Sequence, residues 1–194
     1  MAQLIPESYL APLEIEQIFG RRAALEVDLG CGDGSFLAAL AHSRPTRDFL
    51  GIERLAGRVR TASRKAAQLT NVRVLRMETS YAVRYLLPAE SVTVFYLLFP
   101  DPWPKRRHHR RRIFTTEFLD ALAAALVPGG SLRVATDQAD YFAQIERIAR
   151  ACHRLQSIPA NGESLLPATT FETRFVREGA PIYRLELRKV SPVR

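Results

Sequence analysis

Five short apolar segments in this chain each run into a stretch of helical composition, and that alternation admits few folds. Segments 25–29, 48–52, 72–75, 91–99 and 132–135 read as strands, and 35–41, 56–69, 79–87, 115–126 and 138–151 read as helices between them. Thr115 or Thr116 caps the fourth helix, and Pro128-Gly129-Gly130 stops it. Strands joined through helices lie parallel, and segment 91–99 is the most apolar of the five, the kind of strand that is buried on both faces of a parallel sheet. The rhythm fails at the end. Segments 154–158 and 182–190 both read as strands with no helix between them, and 183–188 alternates with period two. The expected fold is a single α/β domain over 1–194, a doubly wound, mostly parallel sheet with a C-terminal antiparallel hairpin. Residues 1–22 form a short leader, and 159–181, with three prolines and two glycines, reads as a mobile substrate loop.

At 194 residues the chain can bury one proper core. No apolar run reaches the roughly 20 residues that cross a bilayer, and no export signal opens the chain, so a membrane partner is not expected. The two cysteines, Cys31 and Cys152, have no metal-binding spacing, and the four histidines build no zinc site. A reducing, cytoplasmic setting and no metal are expected.

The first strand ends in Gly30-Cys31-Gly32-Asp33-Gly34, at the strand end where open α/β sheets bind ligands. Ser35 stands where a dinucleotide-binding fingerprint needs its third glycine, which argues against a nicotinamide. Glu53 ends the second strand, 25 residues after Asp28, where an acid can accept both hydroxyls of an unphosphorylated ribose. Asp28 precedes the glycines and can face a cationic amino group. Acid, glycine loop and ribose acid together resemble the S-adenosylmethionine site of class I methyltransferases. Glu78 falls where that fold places an acid or amide near the adenine.

Beyond the fourth strand comes Phe99-Pro100-Asp101-Pro102-Trp103-Pro104, then an octapeptide, Lys105 to Arg112, with six Lys/Arg and no acid. The whole chain carries a formal +8, and removing those six charges leaves +2, so the basicity reads as one patch beside a site loop. Such a patch calls for a polyanion, nucleic acid first. Pro100 and Pro102 pre-order Asp101, and Trp103 offers a face on which a base can stack.

These motifs identify the chain as similar to the bacterial tRNA (guanine-N7-)-methyltransferases, which methylate guanine 46 of the tRNA variable loop with S-adenosylmethionine. The resemblance rests on Phe99 to Lys105 with Arg107-His108 and Arg110 to Arg112. Gly51-Ile52-Glu53, Ala135-Thr136-Asp137 with Tyr141, and Thr169-Thr170-Phe171-Glu172 with Arg174 support it. It implies a seven-stranded Rossmann-like sheet. It also implies that Asp28, Gly30, Gly32, Glu53, Glu78 and Asp101 hold the cofactor, with Asp101 catalytic. Lys105, Asp137, Thr169, Thr170, Phe171 and Glu172 are implied to contact the tRNA, whose backbone runs over Lys105 to Arg112. No protein partner is called for. The alternative acceptors are another RNA or a protein. A non-catalytic RNA-binding module would not need Glu53 beside a glycine loop.

Overall fold

The structure is a computed structural model, and it describes residues 2–159 and 166–190. Eight strands form one sheet: β1 (Gln3–Leu4), β2 (Leu25–Leu29), β3 (Asp48–Glu53), β4 (Val72–Arg76), β5 (Val92–Leu98), β6 (Leu126–Thr136), β7 (Leu155–Ile158) and β8 (Tyr183–Lys189). Their order is β1-β4-β3-β2-β5-β6-β8-β7. The first six are parallel, and β8 runs antiparallel to both β6 and β7. The α/β layering and the antiparallel C-terminal strands are those expected from sequence. The sheet has one strand more, because Gln3 and Leu4, in the presumed leader, pair with Val74 and Leu75 of β4. Two residues carry no periodicity from which a strand can be read.

Successive side chains along the strands point to opposite faces of the sheet and divide the core into two layers. On one face, α2 (Ser35–Ser43) and α3 (Ala56–Lys65) press Leu37, Leu40, Val59 and Ala62 against Phe49, Val72, Val74 and Tyr96. On the other, α5 (Thr116–Ala125) and α6 (Ala139–Arg150) press Phe118, Leu122, Tyr141 and Ile145 against Val27, Leu50, Phe95 and Leu132. Helix α2 can start beside α3 only because Gly34 has no side chain: at φ +75° a Cβ there would lie 2.6 Å from that of Ala62.

Thr115 caps α5 as expected, its hydroxyl accepting from the Phe118 N–H at 3.2 Å. The helix ends at Ala125, and β6 begins at once, so Pro128-Gly129-Gly130 lies within the strand. The extra residues there are absorbed where the β5–β6 register slips, Val92 facing Leu126 and Val94 facing Ser131. Two more helices lie outside the expected pattern. Helix α1 (Ile15–Phe19) stops at Gly20 (φ 68°), and α7 (Thr170–Arg177) occupies the expected 159–181 loop. Residues 160–165 of that loop lie outside the described residues. Segment 79–87 is a single turn, α4 (Thr79–Tyr81), widening into a π-helical turn over Ala82–Leu86.

Because β8 starts opposite Thr136, at the carboxyl ends of the parallel strands, the β7–β8 connection lies at that edge too. Topology thus delivers α7 to the end of the sheet where the glycine loop sits.

Candidate active site

A cleft of about 1240 Å³ opens at the carboxyl edge of β2, β3 and β5. Its lining takes in Asp28, Gly30, Gly32, Glu53, Glu78 and Asp101, and also Thr169, Thr170 and Phe171. Lys105, Asp137 and Glu172 do not line it.

The floor is acidic and buried. Asp28 and Glu53 are 5% and 4% exposed. Backbone N–H groups of Gly30 and Cys31 both donate to the Ile52 carbonyl, at 2.8 and 3.0 Å, which ties the glycine loop to the strand end that carries Glu53. Gly30 and Gly32 sit at φ 79° and 56°, a conformation that costs other L-residues strain. Glu53 turns one oxygen back to the Leu55 N–H (2.8 Å), and its other oxygen lies 3.8 Å from Arg58. Burial, with Glu53 adding to it, pushes the Asp28 carboxyl up to about 7. Asp28 therefore binds a proton in the folded state that it has lost when unfolded, so it lowers stability progressively as pH rises from about 4 to about 7. An Asp28→Asn protein is expected to melt higher than wild type at pH 8, with the gain vanishing toward pH 4. Melting curves across pH test this; a gain independent of pH would remove the proton as its cause.

Glu78 is placed on the wall but its carboxylate is engaged: it caps α4, accepting from Ser80 N (2.9 Å) and Tyr81 N (2.7 Å).

Asp101 stands on a strained loop. Phe99 and Trp103, at φ 52° and 43°, bracket the two prolines in a left-handed conformation rare for aromatic residues. The Asp101 carboxylate is 73% exposed, with Arg54 as its nearest cation at 3.9 Å. The Phe99 ring packs on Phe171 and Phe175 of α7, at 6.3 and 5.3 Å between centroids. Trp103 is half-buried, with the Arg111 guanidinium over its ring at 4.9 Å and His108 at its edge.

Arg112 departs from its expected role as a phosphate ligand. It is 3% exposed and faces inward: Nε donates to the Pro102 carbonyl (2.7 Å), Nη1 to Gln144 (2.8 Å) and Nη2 to Asp140 (2.5 Å). Its guanidinium also lies 4.6 Å over the Tyr141 ring. It fastens the Asp101 loop to α6. Lys105, Arg106, Arg107, Arg110 and Arg111 remain exposed along a 3₁₀ turn over Arg106–Arg111.

Thr169 caps α7, accepting from Glu172 N at 2.9 Å, and Glu172 pairs with Arg184 of β8. Asp137 accepts from the Gln138 amide (2.5 Å) and adds to the pull of Glu178 on the Arg174 guanidinium. Arg54, Arg58 and Arg84 also line the cleft; the order of residues after Glu53 was the signal for the first two.

A mostly parallel sheet with helices on both faces, opening over an acidic glycine loop, defines a methyltransferase of the Rossmann-like class. A sequence profile described as "Putative methyltransferase" matches residues 22–185. The tRNA (guanine-N(7)-)-methyltransferase of Halorhodospira halophila is 38% identical over 182 residues, 89% of this chain and 78% of that protein. Its counterpart in Leifsonia xyli subsp. xyli is 39% identical over 184 residues, 91% and 81% of the two chains. The chain belongs to the tRNA (guanine-N7-)-methyltransferase family. Among solved structures, the 16S rRNA methyltransferase KamB superposes with a TM-score of 0.65 at 21% identity, covering 92% of this chain and 93% of that one. The aminoglycoside resistance methyltransferase NpmB1 gives 0.63 at 18%, covering 91% and 92%. These two share the fold. Among the described residues no helix is long and apolar enough to cross a membrane, and no His/Cys/Asp/Glu group could hold a metal.

Proposed function

We propose that the protein transfers the methyl group of S-adenosylmethionine to N7 of guanine 46 in the tRNA variable loop. The observation that carries this reading is a single cleft joining the buried Asp28–Glu53 floor to the exposed Asp101 carboxylate. The floor fits the cofactor: two buried carboxylates suit a ligand that brings an ammonium, a sulfonium and ribose hydroxyls. Asp28, the backbone of Gly30 and Gly32, and Glu53 would hold it, with Glu78 fixing the wall beside them. Bound there, it supplies an electrophilic methyl group.

Guanine N7 offers an in-plane lone pair and carries no proton, so no residue has to act as a general base. The protein's part is orientation and charge. Asp101 accepts from the N1–H and amino edge of guanine and offsets the positive charge that the ring acquires. Asp137 is the second acid for that edge. Lys105, with Arg106, Arg107, Arg110 and Arg111, meets the RNA backbone, and Thr169 to Glu172 border the base from α7. The target base must leave its stack to reach the cleft. A tRNA substrate implies work in the cytoplasm.

Labelled S-adenosylmethionine and unmodified tRNA test the proposal, with the N7-methylguanosine mapped by cleavage at the modified base. Label at one variable-loop guanine is expected. Label at another guanine overturns the position, and no label with cofactor bound overturns the acceptor.

A further inference from the structure

Residues 54–77 contain seven Lys/Arg and no Asp or Glu. The whole-chain charge conceals this segment: with the Lys105–Arg112 run it accounts for +13, so the remaining residues sum to −5. Basicity is thus concentrated in two places. The second falls on α3 and its flanks.

The cations of this segment divide by what they face. Arg54 and Arg58 line the cleft near Asp101 and Glu53, and Lys65 pairs with Asp33 of the glycine loop at 2.5 Å. Arg73 turns to the Thr70 and Val72 carbonyls and lies over the Phe19 ring. Arg60 and Arg64 differ. They are exposed and one helical turn apart, and among the described residues neither forms an ion pair. Together with Ser63 and Gln3 they line a second cavity of about 510 Å³ between α3 and β1. The Ser63 hydroxyl oxygen there is buried without a hydrogen-bond partner. Two like charges on adjacent turns repel, so this surface is completed by an anion.

We propose that the outer face of α3, centred on Arg60, Arg64 and Ser63, is a second phosphate-backbone site, which grips tRNA away from the target guanine. The inference rests on the tRNA reading above. Arg60 and Arg64 lie on the side of α3 turned away from Arg58, because two residues along a helix rotate the side chain by about 200°, so they carry positive charge onto surface outside the cleft. Two exposed guanidinium groups one turn apart, outside the cleft of a protein that acts on tRNA, suit the successive phosphates of an RNA backbone. Phosphate contacts of this kind position the RNA without reading its sequence.

The test compares wild type with the double variants Arg60→Gln/Arg64→Gln and Arg60→Lys/Arg64→Lys. Unmodified tRNA binding is titrated with KCl, and kcat, tRNA KM and S-adenosylmethionine affinity are measured in parallel. In the Gln pair the slope of log K against log salt is expected to become shallower by about 1.4–1.8 units, near 0.7–0.9 per lost contact. The tRNA KM is expected to rise several-fold, with kcat and cofactor affinity unchanged. The Lys pair, which keeps the charge, is expected to stay near wild type. A wild-type slope in the Gln pair overturns the inference, as does a fall in kcat without a slope change. So does loss of binding to anionic phospholipid vesicles with tRNA binding intact, which would assign the face to a membrane. Wild-type protein that binds tRNA but leaves guanine N7 unmethylated would overturn the proposed function instead, and the slope comparison would stand.

Discussion

An Asp101→Ala protein is expected to lose about 10²- to 10³-fold in kcat, the range seen when one preorganised group facing developing charge is removed. The loss should fall on turnover far more than on folding. The carboxylate is 73% exposed and its nearest cation stands 3.9 Å away in solvent, so little native energy depends on it. Asp101→Asn should fare almost as badly, because its amide would set a donor against the guanine N1–H. Single-turnover methyl transfer at saturating tRNA, with a melting curve as control, checks both. An alanine variant with wild-type turnover would remove Asp101 from the reaction.

Arg112→Ala is expected to have the other large effect, through position rather than contact. Three hydrogen bonds and a cation–π contact hold this buried guanidinium between the Asp101 loop and α6. Two of the loop's residues sit in left-handed backbone that the surroundings must enforce. Without the bond to the Pro102 carbonyl, the loop should relax and carry Asp101 out of place. A stability loss of about 2–4 kcal/mol and at least a tenfold fall in kcat are expected. Asp140→Asn keeps an acceptor oxygen near Nη2 and should retain most of the activity. Because Arg112 acts through the Pro102 carbonyl and makes no bond to the Asp28–Glu53 floor, S-adenosylmethionine affinity should hardly move. If Arg112→Ala lost stability alone and kept its kcat, the loop would not depend on this anchor.

What was legible in the sequence was what repeats or terminates. Strand ends were readable because Gly30, Glu53 and Asp101 each interrupt an apolar run, and those three positions brought the cleft together in advance. What was not legible depends on partners distant in the chain. Nothing about Arg112 separates it from Arg110 or Arg111 until Asp140 and Gln144 come alongside. Glu78 had the right position, but its engagement with α4 appears only in the fold. Helix α7 did leave a signal, Thr169 three residues before Glu172, which is the start of a capping box. The flanking prolines and glycines outweighed it. Glu172 gives its carboxylate to Arg184 rather than completing the box, an outcome set by β8. The α3 cations were concealed differently, by acids elsewhere that cancel them in the total.

Strand β8 comes last in the chain yet lies inside the sheet, between β6 and β7. A ribosome delivers β7 before the strand it must pair with, so β7 emerges with no strand beside it. The flank of β6 that carries Leu132 and Val134 must likewise wait, as an open edge of the kind that recruits wrong partners. Between the emergence of β7 and that of residues 183–189 the sheet lacks only the strand that joins β6 to β7, and that same strand leads out of α7 at the mouth of the cleft.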